Sequence, residues 1–152
     1  MFDLATALPL LLPRAIAWAE ARSAEVAASG MGLTDSGLRL ARAVGVRRPE
    51  LIRINEVPQL PLPEDPSLRH AALQTGLLGP NMTGLTLGYS IYIVKGHGSN
   101  RLVSHECRHV YQYETAGSIA AFLPQYLQQI AAYGYENAPY EVDARRHEIN
   151  VA

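Results

Sequence analysis

With 152 residues, 48% of them hydrophobic and 18% charged, the chain has the composition of one compact domain and not of a disordered segment. A net charge of −1, with no basic run longer than Arg47-Arg48 or Arg145-Arg146, leaves no electrostatic footprint for nucleic acid. The single cysteine, Cys107, excludes an internal disulfide.

Leu4 to Leu12 is apolar, but Asp3 precedes it without a positive flank, and Pro9, Pro13 and Arg14 interrupt it. It therefore reads as an extended arm and not as a signal peptide, and it falls short of the ~20 residues of a membrane span. A cytoplasmic chain without a transmembrane segment is the corresponding expectation, with other export routes left open. Pro13 to about Ala28 reads as a helix ended by Gly30 and Gly32. A second helix, capped by Thr34 or Asp35, carries Leu38, Leu40, Ala41 and Val44 as its apolar stripe and stops at Gly45.

Leu51 to Val57 alternates as a strand does. The segment holding Pro58, Pro61, Pro63 and Pro66 is a loop, because proline removes ladder donors. A short helix is expected over Ser67 to Thr75. Thr83 to Val94 is a further strand signal, in which Gly84 and Gly88 mark bends or close approach. Gly96 to Asn100 forms a turn and a helix cap. A helix then runs to about Glu114, ahead of Gly117, and another covers Ile119 to Tyr133, with Pro124 inside it and Gly134 at its end. Asn137-Ala138-Pro139 opens the last helix, with an asparagine cap and a first-turn proline.

The first of these later helices carries His105-Glu106-Cys107-Arg108-His109, an HExxH sequence. At about 100° per residue, positions four apart return to one face, so both imidazoles can address one metal ion. Glu106 is offset around the helix, beside the ion rather than on it, where it can take a proton from water. Cys107 and Arg108 point away, which makes Cys107 a core residue. The chain's composition gives a chance match of about 1%, so the neighbourhood must decide. An ordinary buried helix would need separate partners for two histidines and a glutamate, whereas one metal satisfies all three.

Catalytic zinc takes three protein ligands and keeps a fourth position open. Position 115 is Thr and position 112 is Gln, so the metzincin pattern is absent. A carboxylate on the last helix is the alternative: Glu141, which shares a face with the small Ala144, is preferred over Asp143 and His147.

With these residues the chain resembles gluzincin-type zincins, in which HExxH is followed by a glutamate on a later helix. His105-Glu106-x-x-His109-Val110-x-Gln112 is also similar to small bacterial zincin-like domains with an HExxHVxQ motif. Their later helix begins Asn-Pro-x-Glu; here Asn137-Ala138-Pro139-Tyr140-Glu141 has one inserted residue, and the resemblance spans roughly residues 83 to 147. It implies a mainly helical α+β fold, a minimal zincin-like domain with a small sheet or hairpin packed on the HExxH helix. The whole chain, 1–152, would be one domain. Residues 1–80 supply helices, a strand and the proline-rich loop, and 81–152 the metal-site core. Where gluzincins carry an aspartate four residues after the ligand glutamate, this chain has Arg145. The outer partner of a ligand histidine is then expected to be either missing or supplied by Asp143 or Asp35.

The implied function is a zinc-dependent peptidase acting on a peptide or protein substrate. His105, His109 and Glu141 hold Zn²⁺, and Glu106 is the general base. Tyrosines are the candidate oxyanion donors: Tyr92 and Tyr135 foremost, then Tyr89, Tyr133 and Tyr140, with His147 and His97 behind them. The alternative is a zincin fold kept as a zinc-binding interaction module, since a chain this short is expected to offer a shallow site, to act on one protein partner, or to need another subunit. Oligomeric state is left open.

Overall fold

In chain order the elements are α1 (Leu4–Ser29), α2 (Asp35–Ala43), β1 (Arg53–Val57), α3 (Pro66–Gln74), β2 (Gly84–Leu87), β3 (Ser90–Val94), α4 (Asn100–Ala116), α5 (Ile119–Asn137) and α6 (Pro139–Arg146). They are seen in a computed structural model that describes residues 2–150. The class is α+β, mainly helical with a small mixed sheet, as the sequence implied.

The expected extended arm at 4–12 is instead the start of α1. The Asp3 carboxylate caps the helix by accepting from Ala5 N–H at 3.2 Å and from the Thr6 hydroxyl at 2.6 Å. Pro9 and Pro13 lie inside the helix, four residues apart and both solvent-exposed. The backbone hydrogen bonds they remove are therefore lost where water can serve the carbonyls, while Leu8 and Leu11 pack inward. Among the described residues, no helix is long and apolar enough to cross a membrane.

Strand order is β1-β3-β2. β1 runs parallel to β3 (Arg53 opposite Ser90, Val57 opposite Val94), and β2 runs antiparallel (Gly84 opposite Ile93, Leu87 opposite Ser90). The single strand signal at 83–94 is thus a hairpin, turned at Gly88, whose φ of +70° suits glycine. Side chains alternate across the sheet. Ile91 and Ile93 pack with Cys107, Val110, Ala41 and Ile52 on the α4 and α2 side. Leu87 and Tyr92 pack with Ala19, Val26 and Phe122 on the α1 and α5 side.

α4 begins at Ser99, whose hydroxyl accepts from Leu102 N–H at 3.2 Å, and ends at Gly117 with φ +105°. Cys107 lies wholly buried on its core face, and burial pushes the thiol pKa up to about 12, which makes it unreactive packing. Gly117→Ala forces a left-handed residue on a side chain, at a cost of about 1–2 kcal/mol. The expected result is a melting temperature lower by roughly 2–8 °C by circular dichroism. An unchanged melting temperature would show that this cap does not hold α4.

Candidate metal centre

α4 presents His105, Glu106 and His109 on a buried face, each less than 10% exposed. The facing residue is Glu141, 2% exposed, in the first turn of α6, where a helix N-terminus favours a carboxylate. The expected asparagine cap does not form. Ala138 takes the N-cap position without a side-chain bond, and Gln129 of α5 accepts from the Tyr140 N–H at 2.9 Å. α6 is therefore anchored by its neighbour helix. Gly134, with φ +77° and ψ 168°, breaks α5 and lets the chain turn toward α6.

His105 Nε2 lies 3.3 Å from Glu141 Oε1 and His109 Nε2 lies 3.2 Å from Glu141 Oε2. One ligand atom from each of the three residues lies within 4.8 Å of the others. Glu106 stands beside this group, its Oε2 4.0 Å from His105 Nε2, while its Oε1 accepts from the Thr86 hydroxyl at 2.7 Å. The three groups brought together are those named from the sequence, and Glu106 lies outside them.

The outer hydrogen bonds fix which nitrogen faces the centre. His105 Nδ1 is 2.8 Å from Glu148 Oε2, and His109 Nδ1 is 2.7 Å from Gln112 Oε1. The Gln112 amide nitrogen donates to Tyr140 O and to Asp143 Oδ2, both at 2.9 Å, so its oxygen is the atom left for His109. Both Nδ1 atoms therefore donate, and both Nε2 atoms are directed inward at Glu141, the tautomer and orientation that metal-binding histidines need. Two imidazoles and a carboxylate with pinned outer shells fit a divalent cation that favours nitrogen and oxygen donors.

With protons in place of a cation, the charges hold one another. Burial disfavours ionisation, but the His109 charge and the histidine hydrogen bonds outweigh it at Glu141 and hold that carboxyl well below its usual range. Burial also opposes the imidazolium at His109, and Glu141 outweighs it, so the His109 pKa rises. His105 shifts the same way, burial being offset chiefly by the Glu141 hydrogen bond.

Compared with models of protein families, with curated proteins and with solved structures, the chain matches none. The site's chemistry is accordingly read from its own residues.

The other expected residues divide. Tyr135 lines the cavity beside Glu141, Glu106 and His109. Burial, followed by the charges of Glu141 and Glu106, pushes its pKa up, so its hydroxyl stays a donor. Tyr92 is not brought to the centre. It faces the α1 side of the sheet, where Arg22 and Glu25 are the charges it senses. Thr86, opposite Ile91 in register, is on the face that meets Glu106, and alternation sends Tyr92 to the other. Tyr89 bonds Glu114 at 2.8 Å, Tyr140 bonds Gln125 at 2.8 Å, and Tyr133 and His97 are exposed.

Asp143 touches neither His105 nor His109. It accepts two bonds from Arg108, at 2.8 and 3.3 Å, and reaches His109 only through Gln112. Asp35 is exposed at the start of α2, and His147 donates from Nδ1 to Asp143 O at 2.8 Å. The sequence reading missed Glu148, Thr86 and Tyr126, whose hydroxyl donates to Glu141 Oε2 at 2.7 Å. Gln112 had a local signal, three residues after His109 on one helix face.

Glu148→Ala removes the acceptor for His105 Nδ1 and is expected to weaken divalent-metal affinity about 10–100-fold in chelator competition, with the helical spectrum retained. Equal affinity in the variant and the parent would refute that role. Metal binding should also stabilise the fold. At free metal about 100-fold above Kd the gain is about 2.7 kcal/mol. The melting temperature should then fall by roughly 5–10 °C when a chelator strips the ion.

Proposed function

We propose that the chain is a gluzincin-type zinc metallopeptidase, in which His105, His109 and Glu141 hold Zn²⁺ and Glu106 is the general base. The observation that carries this reading is the placement of Glu106: a buried carboxylate next to three convergent donors, yet outside their set. Two histidines and a carboxylate are one of the donor sets of catalytic zinc. When bound, the ion supplies an acidified water and a Lewis acid for the substrate carbonyl.

The protein's own groups account for the remaining steps. Glu106 Oε1 is occupied by the Thr86 hydroxyl, so Oε2, on the side of His105, is the oxygen that takes the proton from water. The same oxygen delivers it to the departing amine. Tyr135, kept protonated by burial, supplies the hydrogen bond to the developing oxyanion.

A peptide is supported by the edge of the sheet. Val94 N–H bonds Thr83 O at 2.9 Å, so by antiparallel alternation Gly84 turns its own N–H and C=O outward. An extended backbone can pair there, next to Glu106. Gly84 is glycine for space: a Cβ would stand 2.8 Å from Glu106 Oε2 and 2.9 Å from its Cδ.

Glu106→Gln is expected to keep stoichiometric zinc and lose peptide hydrolysis by at least about 100-fold, the range of general-base catalysis. Full turnover in that variant would sink the peptidase reading while leaving the metal site intact. Hydrolysis absent from the zinc-loaded parent itself would favour the interaction module. Gly84→Ala moves the flexible end of Glu106 and should cut kcat with little change in zinc content or melting temperature. Tyr135→Phe should lower kcat about 100–1,000-fold, as for loss of an oxyanion donor, whereas Tyr92→Phe should leave kcat unchanged.

A further inference from the structure

We propose that the cavity beside the metal centre is a specificity pocket for a compact apolar group, of leucine to phenyl size, flanking the scissile amide. This rests on the zinc-peptidase reading and names its substrate class. The cavity has a volume of about 130 Å³ and is continuous with the reacting groups, since Glu106, His109 and Glu141 form part of its wall. These three are the charged side chains of the wall, and all belong to the metal centre. Leu8 and Leu11 of α1, Leu68 and Ala72 of α3, and Leu78 close it elsewhere.

Away from the reacting groups Glu106 and Tyr135, the hydroxyls of this wall are already engaged. Thr75 donates to Ala71 O at 2.8 Å, Thr86 to Glu106 at 2.7 Å, Tyr113 to Thr86 O at 3.2 Å and Tyr126 to Glu141 at 2.7 Å. A charged or amide side chain entering there would leave water without a partner, which is costly. An apolar one gains by the transfer. Size follows from volume: an apolar cavity of ~150 Å³ accepts benzene, so this one suits a single aromatic ring or an isobutyl group and not a long acyl chain.

The test uses the zinc-loaded full chain and two hydroxamates that share a metal-binding head. 3-Phenylpropionohydroxamate is expected to bind about 10–150-fold tighter than acetohydroxamate, the gain for burying a phenylalanine-sized group. Ala72→Phe should abolish that gain with zinc stoichiometry unchanged. Equal affinities for the two probes on zinc-loaded protein would overturn the pocket and leave the metal reading standing. If the chain takes up no zinc, the function proposed above fails, and toluene titrated into the metal-free chain decides the pocket. Saturable methyl shifts at Leu11, Leu78 and Leu123 support it, and their absence overturns it. That titration also serves if Ala72→Phe does not fold.

Discussion

The convergence of two imidazole nitrogens on one buried carboxylate is the constraint around which the second half of the chain is arranged. Each ionised group taken out of water loses several kcal/mol of hydration, of order, and that loss must be met by partners in the interior. Here it is met completely. Glu141 receives both histidines and the Tyr126 hydroxyl, His105 reaches Glu148, and His109 reaches Gln112, which is itself held by Asp143 and Tyr140. Those partners come from α4, α5, α6 and the segment after α6. Helix packing and site electrostatics are consequently one problem, solved together, and a cation entering the centre would meet donors that the fold has already oriented.

What was legible in the sequence is what depends on short spacing. His105, Glu106 and His109 share a helix, and the 3.6-residue period alone sets their relative directions. Thr34 and Gly117 could be read as helix ends for the same local reason. Tyr92 shows the limit. Its nearness to the motif said nothing about which face of the sheet it occupies, and that parity is settled only by the pairing of β2 with β3. Tyr126, Thr86 and Glu148 reach the centre through contacts between separate elements, and no period within one element encodes them.

α1 illustrates a different failure. The proline rule concerns lost backbone donors, and it predicts a break wherever those losses are buried. At Pro9 and Pro13 they face water, so the helix continues through both. Reading residues 4–12 as an arm removed two turns of helix and, with them, the wall formed by Leu8 and Leu11. In the structure the early turns of α1 place Leu4, Leu8 and Leu11 in the wall of the cavity beside the centre.

Arg145 occupies the place where a carboxylate was expected, and its guanidinium turns outward to the Glu136 carbonyl. The acid that serves His105 comes instead from beyond α6. There Ser104 accepts from the Ile149 N–H at 2.8 Å and lays the chain back along α4, which sets Glu148 against the ring. The donors and their outer partners thus lie between residues 105 and 148, whereas α1 and α3 join α4 and α5 in walling the space beside them. In the proposed hydrolase, the amino-terminal helices contribute to substrate choice and hold none of the reacting groups. Drift in the amino-terminal helices can retune selectivity while the reactive centre stays fixed.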